Sequence, residues 1–196
     1  SMLYRNLHKI KPDSLIHISY KIHGTSAIAS KLLCKRPLKW YERVLKFFDV
    51  NISDTQYDYI YASRKVIKNS RLNPNANHYY SSDIWKLGFE ELKDYLQDGM
   101  TIYYEIAGFM PEGGSIQKLY DYGCEPGQHK KFIYRITYTN PDGKVFEFSA
   151  PQVQQWCKKN GLEAVPELYY GKAKDCFQNL YHLIEEPVEF PDQKWE

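Results

Sequence analysis

Two alternating stretches, Lys130 to Thr139 and Lys144 to Phe148, flank the turn Asn140-Pro141-Asp142-Gly143. Alternation sends successive side chains to opposite faces of a strand, and each turn residue favours a tight reversal, so the segment predicts an antiparallel hairpin. Other runs predict further strands: Leu15 to Tyr20, Ala27 to Leu33, Tyr57 to Ser63 and Met100 to Gly108. Helices are expected between them. Leu38 to Phe48 spaces apolar residues at helical intervals among cations and predicts a short amphipathic helix covering the sheet, with nucleic acid as the alternative contact for its basic face. Ser82 is expected to cap a helix reaching about Gln97, closed by Gly99, with Trp85, Leu87, Phe89, Leu92, Tyr95 and Leu96 buried. Ser149 is expected to cap another, closed by Gly161, and a last helix is expected over Lys172 to Ile184. Asn69 to Tyr80 predicts a loop, and the tail from Glu185 is acidic and interrupted by proline.

Composition narrows the class. With 43% hydrophobic and 26% charged residues the chain has the makings of an ordinary globular core, and its 18 tyrosines suit half-buried strands and stacking surfaces. The net charge of +2 gives little overall field, so a polyanion would have to be met by a local basic face. Cys34, Cys124, Cys157 and Cys176 have no C-x-x-C spacing, which argues against a zinc site and for reduced thiols in a cytoplasmic protein. No apolar run nears a membrane span, so no membrane partner is expected.

Between the first two strands lies Lys21-Ile22-His23-Gly24-Thr25-Ser26. The pattern predicts a hairpin with Lys21 at its rim. There Gly24 would let backbone approach a ligand, Thr25 and Ser26 would offer donors, and an uncharged lysine could act as a nucleophile. A surface lysine beside an ordinary turn has the same spacing, and at the usual pKa of about 10.4 it would stay protonated. The strand ending at Ser63 delivers Arg64 and Lys65, which suit a phosphate or ribose or a solvated strand end. Glu105 sits among apolar and aromatic neighbours in its strand and calls for a cation or ligand hydroxyls as partner. The glycine-rich stretch Gly113 to Gly123 lacks the spacing of a phosphate loop and is assigned no such role.

Taken in order, Lys21-Ile22-His23-Gly24-Thr25-Ser26, Ser63-Arg64, Glu105-Ile106-Ala107-Gly108 and Phe132-Ile133-Tyr134-Arg135-Ile136 resemble motifs I, Ia, III and IIIa of the covalent nucleotidyltransferases. That superfamily contains RNA ligases, ATP-dependent DNA ligases and messenger-RNA capping enzymes, and the K-x-H-G-T form is most similar to the RNA ligases. The resemblance implies a single α+β domain over residues 2–196, the ligase adenylation fold, with two largely antiparallel sheets, flanking helices and ATP held between the sheets. It implies that Lys21 is the catalytic nucleophile, forming a lysyl-AMP intermediate from ATP with magnesium or manganese. AMP then passes to an RNA 5′-phosphate, and a 3′-hydroxyl displaces it to seal the RNA ends. By the same resemblance His23 and Gly24 lie near the phosphates and Arg64 contacts phosphate and ribose. Glu105 would bind the ribose hydroxyls and Tyr134 would stack on adenine, with Phe132 as the second candidate because register in an alternating strand can slip.

The pattern departs from the family in three places. Ser26 stands where nick-sealing relatives tend to have asparagine, and the separation from Lys21 to Arg64 is long, filled by the Trp40 to Phe48 helix. No E-G-x-V (motif IV) or K-x-K (motif V) follows in order, so the chain is expected to lack the C-terminal part of the domain. Two alternatives are carried: a capping-type transferase, and a non-catalytic nucleotide- or RNA-binding module of the same fold.

Overall fold

The computed structural model describes residues 5–64, 66–68 and 83–176. In chain order the strands are β1 (Leu15–Ser19), β2 (Thr25–Lys35), β3 (Thr55–Ser63), β4 (Ile67–Lys68), β5 (Met100–Gly108), β6 (His129–Thr139), β7 (Val145–Glu147) and β8 (Glu167–Lys172). The helices are α1 (Trp40–Phe47), α2 (Ile84–Leu92), α3 (Ala150–Asn160) and α4 (Ala173–Cys176). The architecture is α+β with two antiparallel sheets. It divides into two compact units, residues 1–22 with 165–196, and residues 23–164.

In the first unit β1 pairs antiparallel with β8, Leu15 opposite Lys172 and Ile18 opposite Tyr169. His17 lies 3.2 Å from Glu167 across this ladder, and Asp13 accepts from Lys174 at 2.8 Å. The expected hairpin between β1 and β2 is therefore corrected: the two strands belong to different sheets. The reason is physical. Alternation fixes which side chains share a face but not which strand pairs with which, and both edges of β2 are taken, by β3 and by β5. The end of this unit is corrected too, since Lys172 closes a strand before α4 begins. The rest of the expected last helix lies outside the described residues.

In the second unit six strands run in the order β4-β3-β2-β5-β6-β7. The expected hairpin is β6 and β7, with Gly143 at φ +82 and the Lys144 amide donating to Asn140 Oδ1 at 2.8 Å. One face of the sheet carries Ala27, Ala29, Ile102, Tyr104, Ile106, Ile133 and Ile136, and α2 and α3 cover it with Ile84, Phe89, Leu92, Val153 and Cys157. Each isoleucine or leucine so buried contributes about 1.5–3 kcal/mol. Ala27 and Ala29 are small, and on α2 a Cβ at Gly88 would come within 3.1 Å of Tyr104 and Ile106. These small residues let helix and sheet approach closely.

Asp83 caps α2 by accepting from the Lys86 amide at 3.1 Å; Ser82, the expected cap, lies outside the described residues. The helix ends earlier than expected, passing into a 3-10 turn over Lys93–Tyr95. Gly99 is not its terminator. At φ +86 it bonds Lys31 and Thr139 and starts β5. Leu87, expected inside, is exposed. In α3 the Ser149 amide donates to Gln152 Oε1 at 2.8 Å and Gly161 adopts the left-handed conformation at φ +66, the expected start and stop.

The expected role of α1 is corrected most. It buries none of its residues, so it covers no sheet. Glu42 takes a two-pronged bond from Arg36 at 2.8 and 2.9 Å, and Lys46 donates to Asp54 at 2.9 Å. These pairs tie the polar side of the helix to the β2–β3 stem and leave its apolar side outward. All four cysteines are free thiols, and no described helix is long and apolar enough to cross a membrane.

Candidate functional site

The six-stranded sheet has a second face, opposite its helices. Residues directly across an antiparallel ladder share a face, and the register puts Ser26 opposite Glu105 and Glu105 opposite Phe132. One step along, Ile28 stands opposite Tyr103 and Tyr103 opposite Arg135. The residues singled out in three separate motifs thus form one row across β2, β5 and β6. A register shift opposite Tyr103 and Tyr104 leaves Tyr134 as the extra residue of β6. That bulge turns its ring outward, 45% exposed, with its hydroxyl 3.2 Å from Ser26 Oγ.

Phe132, the second stacking candidate, is only 2% exposed, its ring 5.7 Å from that of Tyr122. Tyr134 is the one of the pair with a free flank. Arg135 is committed, bonded twice to Glu147 at 2.8 and 2.9 Å while it lies over the Tyr103 ring at 4.9 Å.

At the edge of the row the chain enters through His23 and Gly24. A Cβ on Gly24 would fall 2.1 Å from the Ile106 carbonyl oxygen and 3.2 Å from Glu105 Cγ. The glycine is thus required for close approach of the chain to β5. His23 stacks on Tyr120 at 4.6 Å, and its amide donates to the Tyr122 hydroxyl at 2.6 Å. Tyr122 also accepts from Lys130 through its carbonyl at 3.1 Å. Burial pushes the Tyr122 phenol above its ordinary pKa, and the nearby negative charge of Glu105 pushes it the same way.

Tyr120 and Tyr122 were missed by the sequence reading. They come from the glycine-rich stretch that was assigned no role, and Tyr122 adopts φ +52 to reach inward. Two tyrosines bracketing Asp121 before Gly123 were the available signal.

Arg64 is exposed just past the end of β3, and Lys65 lies outside the described residues. Lys21 is exposed in the stretch between β1 and β2 and belongs to the first unit, two residues before His23. The helix-side face has a cavity of about 210 Å³ lined by Leu92, His129, Lys131, Ile133 and Glu163 among others. That is smaller than the usual ligand pocket, and its lining includes none of Lys21, His23, Gly24, Arg64, Glu105, Phe132 and Tyr134. Among the described residues no three His, Cys, Asp or Glu side chains cluster as a metal site.

No protein-family model matches this chain. No curated protein matches it either.

Proposed function

We propose that this chain is the adenylyltransferase part of an ATP-dependent RNA ligase, acting in the cytoplasm where its free thiols would stay reduced. The observation that carries the reading is the row Ser26, Glu105 and Tyr134. An exposed ring, a carboxylate and a hydroxyl on one sheet face are what a nucleoside requires: a flat surface for the base and an acceptor for the ribose hydroxyls. Such a set fits the ATP nucleoside. A divalent magnesium or manganese ion would be held chiefly by the phosphates it accompanies, since these ions commonly use one or two carboxylates with substrate oxygens.

Lys21 enters the proposal through the sequence alone. Its Nζ, uncharged, attacks the α-phosphorus of ATP, a P–N bond forms, the bond to the β-phosphate breaks and pyrophosphate leaves. An oxygen of an RNA 5′-phosphate then displaces the lysine and takes AMP. A 3′-hydroxyl next attacks that 5′-phosphate and expels AMP. His23 and Arg64 would contact phosphates, Glu105 the ribose and Tyr134 the adenine.

The test is transfer of label from α-labelled ATP to the protein, with GTP in parallel. One AMP per chain is expected, in an acid-labile, base-stable bond, lost in Lys21→Ala and in Lys21→Arg, which keeps the charge but does not readily lose its proton. An adduct that persists in Lys21→Ala would refute the mechanism, and preference for GTP would point to a capping-type transferase. Nucleotide binding without any adduct would leave a binding module of the same chemistry.

A further inference from the structure

The helix α1 is amphipathic in the reverse of the usual sense. At 100° per residue Trp40, Val44, Phe47 and Phe48 share one side with Tyr41 and Leu45, and Glu42 and Lys46 lie on the other. The second side is the one bonded to the protein, Glu42 to Arg36 and Lys46 to Asp54. The first side is left outward, with Trp40 78%, Phe47 83% and Phe48 71% exposed. Together with Val50 it makes a contiguous apolar patch of a kind that marks an interaction site.

We propose that this face of α1 docks on the surface of an anionic lipid bilayer. Charge selects the occupant. Residues 35–54 hold five Lys and Arg against three Asp and Glu, and the carboxylates of Glu42 and Asp54 are already paired. Lys39 and Arg43 are exposed beside the apolar side, and Lys39 Nζ lies 5.7 Å from the Tyr41 ring. A second copy would bring the same cation excess against it. Nucleic acid fits less well, because the outward side also exposes the aliphatic Val44, Leu45 and Val50, which offer no flat surface to a base and gain only by leaving water. Tryptophan and tyrosine beside cations, with phenylalanines on the same apolar side, are the residues of a helix lying in a bilayer interface. The contact needs no spanning segment, and it is independent of the nucleotide reading.

Partition of the full chain is measured by sedimentation with vesicles of equal parts phosphatidylserine and phosphatidylcholine, and with vesicles of phosphatidylcholine alone. The anionic vesicles should bind roughly tenfold better or more, an advantage that falls as salt is raised. Joint replacement Trp40→Ser and Phe47→Ser should lower binding to the anionic vesicles by roughly tenfold or more, and Lys39→Gln with Arg43→Gln should remove the preference for them. These side chains are exposed, so the variants should keep the thermal transition of the parent. Absence of vesicle binding, equal binding to both vesicles, or undiminished binding by the Trp40→Ser, Phe47→Ser chain would overturn the proposal. It would also fall if the chain ignored vesicles and the same replacements instead dissociated a dimer or weakened binding to single-stranded RNA.

Discussion

The hydroxyls of Ser26 and Tyr134 lie 3.2 Å apart although their strands are not neighbours. β5 runs between them, so the bond passes over that strand near Glu105, which faces Ser26 in the ladder. The contact tethers one end of the Tyr134 ring and leaves its flank exposed.

Tyr134→Ala should therefore weaken ATP binding several-fold, since a stacked ring contributes on the order of 1 kcal/mol, and Tyr134→Phe should change it little. Isothermal titration of both variants measures this. A base bound on another aromatic in a nucleotide complex would contradict it.

Glu105 stands in the same row, on the face away from the helices. Glu105→Ala should lower ATP affinity by roughly tenfold or more, the scale of a hydrogen bond to a charged group, with the fold kept. Denaturation and titration on the same sample separate the cases. If the variant unfolds while its folded remainder binds ATP as before, the carboxylate is structural.

Gly24 admits no side chain where it stands, because its Cβ would sit 2.1 Å from a backbone oxygen that cannot swing away. Gly24→Ala must push the start of β2 off β5 and should cost about 1–3 kcal/mol. Urea unfolding of the variant checks this. A midpoint equal to that of the parent would mean that the chain approaches β5 otherwise.

The Arg36 guanidinium, helped by the Lys39 amide, holds the Glu42 carboxyl down to about 2 from an ordinary 4.5. Its proton is therefore bound more tightly when α1 is unfolded. The stabilising contribution is complete above pH 4.5 and is lost as pH falls through about 2. Helical circular dichroism or amide exchange in α1 should show fraying across that window. In Glu42→Gln the window should vanish, with the helix equally frayed above it.

Local elements were legible because local chemistry decides them. Ser149 with Gln152 and Gly161 mark both ends of α3, and Asn140 to Gly143 marks the β6–β7 turn. Pairing between distant segments was not. Leu15 meets Lys172, and nothing in either strand's alternation names the other as partner. The Trp40 to Phe48 pattern correctly gave a helix with two faces, but which face turns outward was decided by Arg36, just after β2, and Asp54, just before β3. Of the candidate site, Glu105 stood out on its apolar strand, whereas Tyr134 was singled out only through the family resemblance and owes its outward turn to a bulge that alternation does not show. Tyr120 and Tyr122 could not be read at all, because a loop residue's reach depends on backbone turns such as φ +52 at Tyr122.

The pairing of β1 with β8 also sets an order of events. Residues 23–164 are continuous and hold the whole six-stranded sheet, so they can condense while the chain is still being made. The other unit joins Leu15–Ser19 to Glu167–Lys172, and closing so long a loop costs entropy before any contact repays it. β1 therefore waits until the intervening strands β2 to β7 have been made before β8 can meet it. Over that interval Leu15–Ser19 lacks its native ladder partner, and any delay in making Glu167–Lys172 lengthens the time for which this strand edge is open to the wrong neighbour.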